Sequence, residues 1–315
     1  MTSPEEQLLK RSRLAVEKSL DDLSTHTNRY TGDPATDSPF LHEHQPLRAG
    51  TSRKSAARLR LYQNGFLALQ HVTISAMDHI RSLRVLLGDD LPPMYAATTL
   101  ARAAGEATAQ VHHRLDAAIT PEMRLLRFGA SLHHGLEDQV RGAGGLPEDS
   151  LARKAGVLES CKAQLAEVRG LFDECGMDID KTGLTSRVTG ETAPFRLQLS
   201  GLARDVYPHR PSWYNSASGT AHSQPWALGT ANKALEDGHL LFGANMLELG
   251  GAVLLALDAA AVLDRTYAAY FGHDPEPAAR DYRFRDKAID GAMAECVSDR
   301  LKQEIAAGIR QRHSR

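Results

Sequence analysis

The sequence predicts an all-α fold, an irregular bundle of about seven to nine helices with no substantial sheet. Three observations predict it. Ala, Leu and Arg dominate while aromatic residues are only 6%, a composition that favours helices over sandwiches or barrels. Apolar residues recur at helical spacing over long stretches, and capping residues punctuate those stretches. No period of 20 to 50 residues repeats, which argues against solenoids and propellers. With 315 residues and 42% hydrophobic content, the chain has enough apolar material for a real core.

Ser3, Pro4 and Glu6 form a capping box at the start of a first helix that is expected to end near Leu23. Residues 24–52 carry Asp33-Pro34, Ser38-Pro39 and Gln45-Pro46 without a sustained apolar period, so they read as an extended arm. The domain organisation expected is therefore an N-terminal helix and arm over 1–52 and a main helical domain over 53–315. Leu59, Phe66, Leu69, Ile74, Met77, Ile80 and Leu87 give a helix from Arg53 to Leu87, with a bend expected near Gly65. A third helix follows Pro92-Pro93 to Leu115. Thr120-Pro121-Glu122 opens a fourth that ends near Gly142, and these two are expected to form an antiparallel pair. Pro147 to Cys175 makes a fifth helix, stopped by Gly176. Residues 177–192 read as loop. Helical pattern returns over Phe195–Val206 and Ser212–His222, residues 226–242 carry no clear pattern, and Asn245–Phe271 and about Arg283–Arg310 complete the chain.

Lys and Arg number 37 against 39 Asp and Glu, for a formal net charge of -2, so no global basic field recruits nucleic acid or an anionic membrane. Leu249–Leu263 is the most apolar stretch, but Asp258 and the flanking Asp264-Arg265 mark it as a core helix rather than a membrane span. Cys161 and Cys175 fall on one expected helix, roughly 21 Å apart at 1.5 Å per residue and beyond disulfide reach. Together with Cys296 and a polar, acidic N-terminus, they predict a cytoplasmic protein with reduced thiols.

Candidate chemistry rests on a few constellations. Tyr214-x3-Ser218-x3-His222 places a phenol, a hydroxyl and an imidazole near one helix face, drifting about 40° per step. Arg102 and Glu106 are four apart among small residues, where a half-buried ion pair needs further hydrogen-bond partners. Tyr214, Ser218 and His222 are the expected partners, so the five residues together form the expected catalytic set. The structural alternative is a core salt bridge with polar gap-fillers packed beside it. Glu236-x2-His239 is half of a carboxylate-bridged dimetal motif, and only one such half is present; no metal or cofactor is assigned. No HExxH, CxxC, P-loop or Gly-x-Gly-x-x-Gly after a strand occurs, so a nucleotide cofactor is not indicated. Arg48, Arg53, Lys54, Arg58, Arg60, Arg81 and Arg84 face only Asp78 in their stretch, and the C-terminus ends Arg310-Gln311-Arg312-His313-Ser314-Arg315; either can meet phosphates or form a solvated face.

The Arg-x3-Glu helix at Arg102–Glu106, the following Arg124-x2-Arg127 and the later Tyr-x3-Ser-x3-His resemble a group of actinobacterial all-helical proteins, over about residues 94–260. That group is similar to the HEPN superfamily of helical bundles, which includes RNA-cleaving toxins and defence effectors as well as inactive binding members. The resemblance implies RNA as partner. Catalytic members use an Arg-x4-6-His motif, from which Arg210, twelve residues before His222, departs. A noncatalytic interaction module, dimeric through an exposed apolar helix face, and a metal-dependent bundle enzyme are the alternatives.

Overall fold

The computed structural model describes residues 3–88, 92–93, 95–145, 151–210, 213–228, 232–234, 240–242 and 245–313. It is mainly α-helical. Among the described residues there are ten helices of eight residues or more and one of four, rather than seven to nine. The sheet content is a three-stranded sheet and a two-stranded ladder.

Helix α1 (Pro4–Gly32) starts at the expected capping box, with Glu6 N–H donating to Ser3 Oγ (3.1 Å) and Ser3 N–H to Glu6 Oε2 (2.9 Å). It continues nine residues beyond Leu23. The Thr27 and Thr31 hydroxyls donate to the Leu23 and Thr27 carbonyls (2.7 and 2.8 Å), so polar residues that looked like linker fold their side chains back onto the helix. The rest of the expected extended arm is largely a second helix, α2 (Pro39–Ala49), capped by Ser38 Oγ. Both corrections have one physical cause: tertiary burial of Tyr30 and Glu43 holds segments whose own apolar pattern is weak.

Helix α3 (Arg53–Leu86) runs without interruption past Gly65. A Cβ there would lie 2.3 Å from Phe128 Cβ, so the glycine serves a close helix crossing and not a break. Helices α4 (Ala96–Leu115) and α5 (Pro121–Gly144) match expectation in extent. They diverge from their shared connection: α4 lies chiefly against α3 and the later core helix, while α5 packs on α3 and on α6 (Leu151–Cys175).

Gly176, at φ +78°, ends α6. The segment read as loop then forms an antiparallel sheet, β1 (Met177–Ile179), β2 (Gly183–Ser186) and β3 (Thr192–Pro194), with Met177 opposite Ser186 and Leu184 opposite Ala193. Asp180 Oδ1 accepts from Thr182 and Gly183 N–H (2.6 and 2.8 Å), closing the first turn. Strands this short carry too little alternation to stand out in sequence, and burial of Met177, Leu184 and Ala193 in the main core stabilises them.

Short helices α7 (Leu199–Val206), α8 (Trp213–Ala221) and α9 (Pro225–Leu228) follow, then the ladder of β4 (Asn232–Ala234) and β5 (Leu240–Phe242). Helix α10 (Met246–Tyr270) is the central rod, with Val253, Leu257, Ala260 and Leu263 fully or nearly fully buried, and α11 (Glu276–His313) returns along it. By length and composition α10 is apolar enough to cross a membrane, but most of it is buried inside the bundle. Cys161 and Cys175 lie on α6, and all three cysteines are unbridged.

A buried ion pair ties the N-terminal helices to the bundle. Arg124, 1% exposed, donates from Nε to both Glu43 carboxylate oxygens (2.9 Å each), from Nη1 to Arg114 O (2.9 Å) and from Nη2 to Asp116 O (3.0 Å). Tyr270 OH donates to Glu43 Oε2 (3.0 Å), and its ring lies under the guanidinium. Each buried polar group here has a partner, the condition under which such a pair is tolerated.

Candidate functional site

Helix α4 carries the site because its two faces differ. Ala97, Ala101, Ala104, Thr108, Val111 and Leu115 repeat at three and four residues and are buried. Arg102, Glu106, Gln110 and His113 recur at four, four and three, so they form one half-buried polar stripe about 16 Å long at 1.5 Å per residue.

At the N-terminal end of the stripe, Arg102 Nε donates to Glu106 Oε1 (2.7 Å), with side-chain exposures of 14% and 20%. Helix α8 packs against α4. Ser218 on α8 is half-buried, and His222 lies exposed in the turn that follows, its backbone N–H donating to Ser218 O (3.0 Å). Among the described residues, no hydrogen bond or ion pair joins the Ser218 or His222 side chain to the Arg102–Glu106 pair. Tyr214 belongs to α8, and its side chain lies outside the described residues. Glu236 and His239 lie outside them as well. No three His, Cys, Asp or Glu side chains converge to hold a metal ion among the described residues.

The C-terminal end of the stripe opens into a cavity of about 130 Å³ between α4, α5 and the chain after β3. Its polar walls are His113, Arg114, Arg127, Ser131 and His134. Arg114 donates to Gln110 O (3.1 Å) and to Ser131 Oγ (2.7 Å), and burial pulls its guanidinium down to about 10. Arg127 donates to His113 O; burial lowers it too, partly offset by Asp116. Neither arginine has a carboxylate within ion-pair distance among the described residues. Burial, with Arg127 and Arg114 adding repulsion, holds the His113 imidazole down to about 3, so it is neutral at physiological pH.

His134 has a buried Nδ1 with no hydrogen-bond partner, and its Nε2 lies 3.6 Å from Asp138 Oδ2. Its neighbour His133 is 2% exposed. Arg169 Nε donates to His133 Nε2 (3.1 Å), which assigns the ring proton to Nδ1, itself without a hydrogen-bond partner. Burial lowers His133, which keeps it neutral, and Phe195 stacks on its ring with centroids 4.4 Å apart.

Two arginines and an imidazole nitrogen, with little compensating negative charge, can hold an anion of phosphate size. Sequence reasoning singled out Arg124-x2-Arg127 but did not place Arg127 in a site. The signal was there: Arg127-x5-His133 and Arg127-x6-His134 both meet the Arg-x4-6-His spacing on one helix. Arg124 turns inward to Glu43, and Arg127, three residues on, lines the cavity.

Five of the six basic residues that the sequence singled out on α3 have carboxylate partners. Arg53 pairs with Glu174, Arg58 with Glu122, Arg60 with Glu167, Arg81 with Asp78 and Arg84 with Glu17. Those arginines are thereby paired with carboxylates of α1, α3, α5 and α6. The side chains of 310–315 lie outside the described residues. Comparison with family models, with curated proteins and with solved structures gives no match.

Proposed function

We propose that this chain is a cytoplasmic, HEPN-like protein that binds RNA along the polar stripe of α4, with one backbone phosphate in the cavity formed by Arg114 and Arg127. The observation that carries this reading is the convergence of buried Arg114 and half-buried Arg127, neither with a carboxylate partner among the described residues, with His134 in a space of phosphate size. RNA is favoured over a free anion by Phe195, an aromatic ring at the cavity wall on which an adjacent base can stack. His134 is the group able to accept or donate a proton beside the bound phosphate, which makes cleavage the further activity to test. In this proposal Arg102, Glu106, Ser218 and His222 contact the strand at the other end of the stripe.

The test is fluorescence anisotropy of a labelled single-stranded RNA at several salt concentrations, with a gel assay on the same samples. Arg127→Ala is expected to weaken binding about tenfold and to reduce the salt slope by about one, the signature of a lost phosphate contact. His134→Ala is expected to weaken binding by less than Arg127→Ala does and to abolish any cleavage. No RNA binding at low salt, or an Arg127→Ala protein that binds unchanged, overturns the proposal.

A second reading, a dimerising module, has one observation in its favour. Leu14 and Phe284 are 65% and 75% exposed and line a groove between α1 and α11, with Arg11 and Lys18 on α1 and Asp281 on α11. That mixture of charge suits a second copy of the chain. Light scattering decides it: a monomer at micromolar concentration removes the reading, and a dimer that Phe284→Glu dissociates supports it.

A further inference from the structure

A larger cavity, about 490 Å³, is reached by His112, the neighbour of His113, and lies between α7, α10 and α11. Its volume is that of a small-molecule site. Helices α10 and α11 are joined by a five-residue link and run antiparallel. Each turns a matching face to the cavity: Asp258, Ala261, Val262 and Arg265 on α10, and Ala279, Tyr282, Arg283 and Asp286 on α11, both at i, i+3, i+4 and i+7.

The antiparallel arrangement brings the two acids together at one end. Arg210 binds both, through Nη2 to Asp286 Oδ1 (2.9 Å) and through Nε to Asp258, while His209 Nε2 lies 3.1 Å from Asp258 Oδ1. Two carboxylates thus share one guanidinium, leaving an excess of negative charge. Burial raises the Asp286 carboxyl, Arg210 opposing the shift and Asp258 and Asp290 adding to it. Asp205, also on the wall, is exposed and has no ion pair among the described residues. Arg265 stands at the opposite end. It is exposed, makes no ion pair among the described residues, and is seven residues from Asp258, about 10.5 Å along the helix. Ala261, Val262 and Ala279 form an apolar floor between the ends.

We propose that this trough binds a short peptide with both termini free, its ammonium at Asp258 and Asp286, its carboxylate at Arg265 and small apolar side chains over Val262 and Ala279. Three extended residues span about 10–11 Å, which matches the rise along α10 from position 258 to position 265. The site is separate from the α4–α5 cavity and does not depend on the RNA proposal.

The experiment is isothermal titration calorimetry of the full chain with Ala-Ala-Ala, its N-acetyl form, its C-terminal amide and Ala-Ala. The tripeptide is expected to bind one to one, and each cap or the shorter length to weaken it at least tenfold. Arg265→Gln is expected to weaken the free tripeptide about tenfold and leave the amide unchanged, because the variant and the cap remove the same contact. No saturable binding at millimolar peptide, capped peptides that bind as well as the free one, or an Arg265→Gln protein that loses the amide equally, each overturns the proposal. Circular dichroism checks the variant's fold, and should it not fold, the peptide series on the unaltered chain decides alone.

Discussion

Removing Glu43 tests the account of how the bundle holds its N-terminal helices. In Glu43→Ala, Arg124 stays buried without its counter-charge, and Tyr270 OH loses its acceptor while keeping the Tyr62 hydroxyl at 2.6 Å. Breaking one partner out of a buried pair costs about 3–5 kcal/mol. Arg124 keeps its bonds to Arg114 O and Asp116 O, which places the expected loss at the low end, about 3 kcal/mol. Glu43→Gln retains an acceptor oxygen and is expected to lose about 1.5–3 kcal/mol, the worth of a charge-assisted bond. The double variant Glu43→Leu with Arg124→Met is expected to cost at least about 2 kcal/mol less than the two single changes summed, since replacing both charges removes the uncompensated one. Urea unfolding followed by circular dichroism measures all five variants, Glu43→Leu and Arg124→Met alone included. A loss below about 1 kcal/mol in Glu43→Ala, or strict additivity in the cycle, refutes the reasoning.

Other outcomes follow from the same geometry. Phe195→Ala is expected to weaken RNA by about 1–3 kcal/mol, the worth of one stacked base, while leaving competition by inorganic phosphate unchanged; anisotropy reads both. Gly65→Ala is expected to cost about 1–3 kcal/mol by overpacking against Phe128, seen in the same urea titration. Because the folded-state value of His113 is depressed, its contribution to stability is complete above about 6.5 and is lost as pH falls toward about 3; His113→Gln is expected to lessen acid sensitivity across that window. Asp264 has the opposite sign. Burial raises its carboxyl despite His26 at 2.7 Å, so its contribution is present below about 3.9 and is lost as pH rises through the elevated value. Asp264→Asn is expected to flatten that part of the stability profile, and a steeper profile counts against the assignment.

Most helices were legible because their signals are local. Capping at Ser3 and Thr120, the glycine stop at Gly176 and the apolar run of α10 act within a turn or two of chain, and each lies where expected. What was not legible depends on distant partners. Nothing near residue 43 says that Glu43 meets Arg124 of α5, so α2 looked like arm. The β1–β3 sheet escaped for the same reason, since Leu184 is buried by Phe172 and Gly129 from other elements. The α3 arginines looked uncompensated because their carboxylates come chiefly from α1, α5 and α6.

The candidate site shows how spacing and position carry different information. Arg102–Glu106 was readable because a four-residue step is itself a contact on a helix. Arg127 and His134 are seven apart, which also places them on one face, yet that step does not reveal what the face meets. Their significance comes from α4, whose Arg114 and His113 close the same cavity from another helix. Arg124 supplies the link between fold and site. It holds Arg114 O and Asp116 O at the end of α4, so the buried pair that anchors α2 also fixes the backbone from which Arg114 reaches into the cavity. A change at Glu43 that leaves the chain folded is therefore expected to weaken RNA binding without touching the ligand, and by less than Arg127→Ala.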